Sequence, residues 1–239
     1  MAPKETASAC AEDLRPFKNI LESGGFYVET GSGEDMHKFA ARLIGEGRHV
    51  YPGFRYKYEP SNPGHYAAIL NHRDELQCCM AWRIFETDNL VSQIETFLPH
   101  YCDHNEADPP FVSEIRELHI NGRIGYRGGL NSLNPGNRLS WFMTSIAMIE
   151  LHHAGCDYQC GEARDDMVFS GRIRSMSGYA NANPLGSLYI KARGKSEALT
   201  LVWSNRQQIA KEITNRHRIL TDCDPKDFRT AVLRLKALE

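Results

Sequence analysis

The residues whose types and spacing best suit chemistry lie between Phe111 and Tyr179. Segment 121–129 (NGRIGYRGG) combines arginines with glycines. Glycine lets a backbone approach a ligand closely and adopt positive φ, and arginine supplies charge for a phosphate. The segment predicts a loop that binds phosphate or pantetheine, with a plain surface turn as the alternative. Its predicted contacts are Arg123, Gly125, Tyr126, Arg127, Gly128 and Gly129.

Two carboxylates just before that loop, Glu114 and Glu117, are the candidate general bases. A nucleophilic amine must lose a proton, directly to a side chain or through water. If 111–120 is a regular strand, alternation puts Glu114 on one face and Glu117, with His119, on the other. The two acids then cannot serve one pocket, and we favour Glu114 slightly. The alternative is that either acid pairs with an arginine as a solvated charge.

Closely spaced histidines and cysteines raise the question of a metal. One group lies at 100–104 (HYCDH), and the other comprises His152, His153, Cys156 and Cys160. Neither contains a C-x-x-C pair, so buried free thiols are the preferred interpretation and no metal is predicted. A nucleophilic cysteine at Cys160 or Cys78 stays open, because a sequence cannot show the activating partner.

The elements that must position these residues alternate between helical and strand patterns. The predicted helices are 14–21, 34–44, 139–154 and a charged, partly basic segment from 205 onward. The predicted strands are 26–30, 65–70, 76–86, 111–120, 156–162 and a hairpin over 187–203. Residues 1–12 read as frayed, 90–98 fits a strand or a short helix, and the aromatic segment 50–66 predicts an ordered loop. This order predicts a mixed α/β domain with one central sheet.

Composition and charge exclude several classes of protein. The chain has 239 residues and a formal net charge of −2, which gives no electrostatic case for nucleic acid or anionic membranes. No apolar run approaches the roughly 18 residues of a membrane span, and the first residues lack the apolar core of a secretory signal. Seven cysteines without disulfide spacing are expected to be reduced thiols, which predicts a cytoplasmic protein.

The chain resembles the GNAT superfamily of N-acyltransferases, in element order over 26–203 and in motif over 111–179. In that family an acidic strand leads into an Arg/Gln-x-x-Gly-x-Gly/Ala loop, which binds the pyrophosphate of acyl-CoA and opens a long helix. A strand and a shorter helix follow, often ending in a glycine–aromatic pair. The matching positions are Glu114, Arg123–Gly129, Leu139–Ala154, Cys156–Gly161 and Gly178–Tyr179.

The loop departs from the family pattern, because Tyr126 or Leu130 stands at its first glycine, depending on the register. The chain is similar in length and strand pattern to a branch with weaker versions of this loop, the acyl-homoserine-lactone synthases and N-acyl amino acid synthases. That branch takes acyl groups from acyl carrier protein. It commonly has an arginine where this chain has Glu117.

The resemblance implies an α/β (α+β) fold with a GNAT-like mixed central sheet flanked by helices and an additional C-terminal helix. The implied domains are an N-terminal extension (1–25), the acyltransferase domain (26–204) and a C-terminal helical extension (205–239). It also implies that Tyr179 protonates the departing thiolate.

The implied activity is transfer of an acyl group from acyl-CoA or acyl carrier protein to a primary amine, such as an amino acid or a peptide side chain. The loop misfit favours a long-chain donor. An ordinary acetyl-CoA-dependent acetyltransferase and a non-catalytic ligand-binding module are the alternatives. No permanently bound cofactor is expected, and acyl carrier protein and a second copy of the chain are open as partners.

Overall fold

The structure is a computed structural model that describes residues 3–47, 64–101, 111, 113–115, 117–133, 135–190, 194–224 and 226–236. The helices are α1 (Pro3–Ser23), α2 (Glu34–Gly45), α3 (Leu90–Tyr101), α4 (Leu139–His153), α5 (Asp165–Phe169), α6 (Arg172–Ser177), α7 (Arg206–Thr221) and α8 (Phe228–Lys236). The strands are β1 (Phe26–Ser32), β2 (His65–Asn71), β3 (Leu76–Thr87), β4 (Gly122–Ser132), β5 (Tyr158–Arg164), β6 (Asn181–Ile190) and β7 (Lys195–Asn205).

The strands form one mixed sheet in the order β1-β2-β3-β4-β5-β7-β6. Neighbouring strands are antiparallel except β4 and β5, which are parallel. The parallel pair is joined by α4, as a crossover connection requires. The predicted α/β (α+β) class, with a mixed central sheet flanked by helices and an additional C-terminal helix, is confirmed.

Helix α4 crosses one face of the sheet and is buried on nearly all sides. Its side chains Leu139, Phe142, Met143 and Ile146 join a core that also takes Leu14 and Phe17 of α1 and Ile209 and Ile213 of α7. A helix covered by a sheet and by other helices can be apolar all round, which accounts for its sequence. Helices α1 and α7 therefore pack into the same core as α4. The predicted domain boundaries stay a prediction.

Helix α7 follows β7 without a break. The side chain of its N-cap residue, Asn205, accepts a hydrogen bond from the Gln208 backbone N–H, and the Gln208 side chain accepts one from the Asn205 N–H. This capping box satisfies two donors that a helix start leaves free. It fixes the direction in which the C-terminal helices leave the sheet.

The opposite face of the sheet carries a second core beneath α3. Leu90 and Ile94 of α3 pack with Ile124 and Tyr126 of β4 and with Cys160 of β5. The segment Phe111 to Ile120 closes this core, and its Ile120 carbonyl accepts a hydrogen bond from the Leu90 N–H.

Two predictions around β4 are wrong. The described residues of 111–120 form no regular strand, since their apolar side chains pack onto α3 instead of alternating between two faces. Segment 123–129 is not a loop but the middle of β4, where every residue from Arg123 to Gly128 pairs with β3. The loop was predicted from the glycine and arginine content of this segment, although its apolar residues also alternate as in a strand.

The remaining differences are smaller. Segment 90–98 is helical, and α1 begins at Pro3, so residues 3–12 are not frayed. Most of the aromatic segment 50–66 lies outside the described residues. In the described part of the chain, no helix is both long enough and apolar enough to span a membrane.

Candidate active site

The parallel pair of strands separates soon after it forms. Strands β4 and β5 pair only at Ile124–Tyr158, Gly125–Gln159 and Tyr126–Cys160. Beyond these positions β4 stays paired with β3 and β5 stays paired with β7. A V-shaped opening therefore begins after Tyr126 and Cys160, in the middle of the sheet, and we call it the splay.

A β-bulge in β4 lies beside the splay. Gly128 pairs with Ala81 and Asn131 with Cys79, so that Gly129 and Leu130 together face the single residue Met80. Gly129 has a φ of 65°, the left-handed conformation that a glycine bulge uses. Because a bulge bends its strand and re-aims backbone groups, it turns β4 away from β5 at the point where pairing stops.

The face of the splay toward α3 carries a carboxyl group and a phenol. The Tyr126 hydroxyl of β4 donates a hydrogen bond to Glu162 Oε2 of β5. Glu162 is half-buried, and loss of water around its carboxyl raises its pKa to about 7. A carboxyl with this pKa is suited to exchanging protons near neutral pH.

The face toward α4 carries a cation and a second phenol. Arg127 of β4 is 3% exposed, and its Nε donates to the Tyr179 hydroxyl oxygen at 3.0 Å. The guanidinium also lies over the Tyr179 ring, 4.3 Å from its centroid. Burial raises the pKa of Tyr179 to about 12, so the phenol is protonated at neutral pH.

Two backbone carbonyls hold the rest of the Arg127 guanidinium. Nη1 donates to the Thr144 carbonyl of α4 at 3.2 Å, and Nη2 donates to the Ser177 carbonyl at the end of α6 at 3.1 Å. Gly178, at a φ of 73°, ends α6 and turns the chain so that Tyr179 reaches the splay. The Gly178–Tyr179 pair noted in the sequence therefore forms the turn that places the phenol beside the splay.

Gly161 brings β5 close to β4 at the base of the splay. A Cβ atom built on it would lie 2.5 Å from the Arg127 carbonyl oxygen and 3.1 Å from the Tyr179 hydroxyl. No side chain fits at such distances, so glycine keeps this space free.

The predicted bases lie elsewhere. Glu114 and Glu117 are both exposed and sit in the irregular segment beneath α3. The Glu114 backbone N–H donates to the Leu185 carbonyl of β6, which ties the segment to the far side of the sheet. Their predicted roles stay predictions, and neither shares a hydrogen bond with Tyr126 or Glu162.

The predicted loop residues have several different surroundings. Arg123 is exposed and its Nη1 lies 3.5 Å from Glu86 Oε1. Gly125 packs under Leu151 of α4, where a Cβ would lie 2.8 Å from a leucine methyl. Gly128 and Gly129 form the start of the bulge, whereas Tyr126 and Arg127 belong to the two faces of the splay.

The connection that opens helix α4 follows β4 directly. Residues Pro135–Asn137 form one 3-10 turn, and Arg138 follows with a φ of 60°. The Leu139 N–H donates to the Asn137 side chain at 3.3 Å. The strand that leads into α4 is therefore β4 and not the predicted strand 111–120.

Neither of the two candidate cysteines, Cys78 and Cys160, has the environment of an activated nucleophile. Burial raises the thiol pKa of both Cys78 and Cys160 far above the ordinary value, and a thiol that stays protonated is a weak nucleophile. Within the described ranges no three His, Cys, Asp or Glu side chains are placed to hold a metal ion. His153 instead lies 2.8 Å from Asp13 Oδ2, and most of the group at 100–104 falls outside those ranges.

Sequence reasoning missed Glu162. The signal was present, since this acid lies in the strand pattern 158–164 between small residues, where a charged side chain has no structural use. It also missed that Arg127 points inward, because an arginine beside glycines resembles a surface loop.

Comparisons with known proteins gave structural matches but no sequence matches. No family model matches the chain, and no curated protein does. The structure of Arabidopsis thaliana NAA60 in complex with acetyl-CoA matches at a TM-score of 0.46 and 11% identity, covering 75% of this chain and 98% of that one.

Two other matches are named for N-acylation. Drosophila melanogaster polyamine N-acetyltransferase matches at a TM-score of 0.43 and 11% identity, covering 75% of this chain and 99% of that one. FeeM, an N-acyl amino acid synthase from uncultured soil microbes, matches at 0.37 and 13%, covering 89% and 91%. Acyltransferase is also the class that the sequence resemblance implies.

Proposed function

We propose that this protein is an N-acyltransferase, which moves an acyl group from a pantetheine thioester to a primary amine. The observation that carries the proposal is the splay between β4 and β5, with a proton acceptor on one face and a proton donor on the other. Amine attack on a thioester requires both, because the amine loses a proton and the thiol gains one.

The thioester arm lies in the splay, where the edge of β4 is free of its neighbour. Beyond Tyr126 and Cys160, β4 is paired with β3 and no longer with β5. Backbone groups at an unpaired strand edge bind an extended ligand as a neighbouring strand would. The donor's phosphates, where the donor has them, lie at residues 135–138 and at the first turn of α4, because the start of a helix favours anions.

Glu162 is the general base of the proposed reaction. At its raised pKa of about 7, a large fraction is ionised at neutral pH and remains basic enough to take an amine proton. The Tyr126 hydroxyl holds the carboxyl in place by donating a hydrogen bond. The free amine then attacks the thioester carbonyl, and the tetrahedral intermediate collapses with loss of thiolate.

Glu114 and Glu117 remain as alternative bases of the same reaction. Both are solvent-exposed. Tyr179 is the proton donor to the thiolate, as the resemblance implies, and its burial beside the splay supports that role.

A long acyl chain remains the proposed cargo, with acyl-CoA or acyl carrier protein as its carrier. The register misfit that first favoured it no longer applies, because Tyr126 and Leu130 lie in a strand. Its support is the resemblance to the branch of the family that takes acyl groups from acyl carrier protein.

Thiol release is the test of the proposed function. The purified protein is incubated with acetyl and long-chain acyl forms of both carriers and with a panel of amino acids, peptides and polyamines. Amine-dependent thiol release that favours long chains supports the proposal. Equal turnover of acetyl-CoA indicates an ordinary acetyltransferase.

Tight thioester binding without release indicates a non-catalytic module. Glu162→Gln then separates the cases, since it abolishes turnover only if the wild-type protein is catalytic. Glu86→Gln, at an exposed acid of β3, is the matched control and is expected to keep its turnover.

A further inference from the structure

Arg127 is a buried cation without a carboxylate partner in the described part of the chain. Its partners there are the Tyr179 hydroxyl and the carbonyls of Thr144 and Ser177. A buried charge is costly unless it is paired. Arg216, the other arginine of this region, follows that rule, because its Nε lies 2.8 Å from Glu212 Oε1. None of the hydrogen-bonded neighbours of Arg127 in the described residues therefore supplies a balancing negative charge.

The hydrogen bond between Arg127 and Tyr179 has a fixed direction. A guanidinium has only donors, so the phenol oxygen accepts and its own proton is left for another partner. In the described part of the chain, Arg127 is the single hydrogen-bond partner of that oxygen. The arginine thus holds the phenol in place while leaving its O–H free to donate.

Gly161 of β5 lies against that hydroxyl. A Cβ atom built on it would lie 3.1 Å from the Tyr179 oxygen and would also clash with the Arg127 carbonyl. Glycine at this position therefore keeps a side chain from pushing the phenol away from Arg127.

We propose that Arg127 is a positioning residue for the leaving group, which aims the Tyr179 proton at the departing sulfur and stabilises the phenolate that results. This inference rests on the proposed N-acyltransferase function. The negative charge that the buried cation lacks at rest is supplied by the reaction.

The step balances as follows in atoms and charge. The C–S bond of the tetrahedral intermediate breaks, and its electron pair goes to sulfur. Sulfur takes the Tyr179 proton, which leaves a phenolate whose oxygen still accepts from Arg127 Nε. Water regenerates the phenol after the thiol departs. An adjacent fixed cation stabilises the developing phenolate most effectively where water is excluded.

The test compares two donors that carry the same acyl chain. One is an acyl-pantetheine, whose alkyl thiol leaves poorly without a proton, and the other is an aryl thioester, whose more acidic thiol leaves without help. Wild-type protein, Tyr179→Phe, Arg127→Met and Arg127→Lys are assayed with both. Tyr189→Phe, at a half-buried tyrosine of β6, is the control.

Tyr179→Phe and Arg127→Met are expected to lose about 10²- to 10⁴-fold in kcat with the alkyl thioester and roughly tenfold or less with the aryl thioester. Arg127→Lys keeps a cation without the Nε donor and is expected to fall between them and wild type. Tyr189→Phe is expected to match wild type with both donors.

Equal losses with the two donors would overturn the inference, because a merely structural arginine affects every substrate alike. Should Arg127→Met fold poorly, Tyr179→Phe decides, since it removes one hydroxyl and keeps the ring under the guanidinium. Absence of wild-type turnover with both donors would overturn the proposed function and this inference together, whereas turnover with equal losses overturns the inference alone.

Discussion

The two faces of the splay differ in charge although they are built from neighbouring residues of one strand. Toward α3, Tyr126 donates to Glu162, a carboxyl whose pKa is raised to about 7 by lost hydration. Toward α4, Arg127 donates to Tyr179, a phenol that stays protonated. On one face the β4 side chain is a phenol that donates to an acid, and on the other it is a cation that donates to a phenol. In the proposed reaction, this arrangement would separate the group that takes up a proton from the group that delivers one.

Removing the acid from the first face is expected to have the largest effect. Glu162→Gln should lower kcat/KM by about 10²- to 10⁴-fold, the usual contribution of a general base. In the wild-type protein, kcat/KM should fall as the pH drops below about 7, because protonated Glu162 cannot take a proton. A pH profile of both proteins checks this, and a wild-type profile flat through neutral pH would assign the base elsewhere.

The same variant should gain relative stability as the pH rises. The folded-state pKa of Glu162 lies above its ordinary value of 4.5, so ionisation of this group opposes folding. The penalty is absent below about pH 4.5 and grows as the pH rises through about 7. Thermal melts of Glu162→Gln and wild type at acid and alkaline pH check the sign. Loss of stability in the variant at alkaline pH would contradict a destabilised carboxylate.

The second face is probed by comparing its two buried arginines. Arg216→Met leaves Glu212 without its partner and should cost about 3–5 kcal/mol of unfolding free energy. Arg127→Met leaves no carboxylate without its partner, so its loss of unfolding free energy should be smaller. Its loss of turnover with an alkyl thioester should be larger than that of Arg216→Met. Urea denaturation measures both. Equal stability costs would indicate that Arg127 has a structural partner comparable to Glu212.

Gly161→Ala tests the space between the two faces. The new methyl group would meet the Arg127 carbonyl at 2.5 Å, so the strands must shift and the phenol must move. We expect a loss of about 1–3 kcal/mol in stability and a clear rise in the KM for the thioester. Gly45→Ala, at a helix end where a Cβ meets nothing within 4 Å, is the matched control. Unchanged KM in Gly161→Ala would place the thioester outside the splay.

The smallest effect is expected at Arg123, which the sequence grouped with Arg127. Its ion pair with Glu86 is exposed, and such pairs contribute about 1 kcal/mol or less. Arg123→Ala should therefore leave kcat almost unchanged, in contrast to Arg127→Met. Assays of the two variants side by side check the contrast, and a large loss in Arg123→Ala would restore the phosphate-loop interpretation.

Sequence patterns predicted the fold better than the site. Helices with strong 3.6-residue spacing, such as α2 and α4, were found close to their true bounds, and so were β2 and β3. Segment 111–120 was predicted as the strand because its apolar residues alternate. The true strand, β4, was predicted as a loop because it is rich in glycine. In β4 the glycines serve packing under Leu151 and the bulge, which are tertiary demands that local composition cannot reveal.

The site depended on contacts between distant segments. Tyr179 was identified through resemblance, and Arg127 was singled out for the wrong reason. Glu162 could not be ranked, because its raised pKa arises from burial that forms only when β4, β5 and β7 assemble. Arg216 of the charged C-terminal segment is also buried in the core, which its charge alone did not indicate.

The bulge at Gly129 has a consequence for how this chemistry tolerates change. Side chains along a strand alternate, so a slip of β4 by one residue would exchange the positions of Tyr126 and Arg127 across the sheet. The Glu162 carboxyl would then face Arg127 and become ionised. The Tyr179 phenol would lose its hydrogen bond from Arg127. Because the bulge fixes the pairing with Met80, an insertion between it and Tyr126 would move Tyr126 and the earlier residues of β4 to the opposite face of the sheet. Homologous sequences that conserve the chemistry should therefore vary in length on either side of this short stretch and not within it.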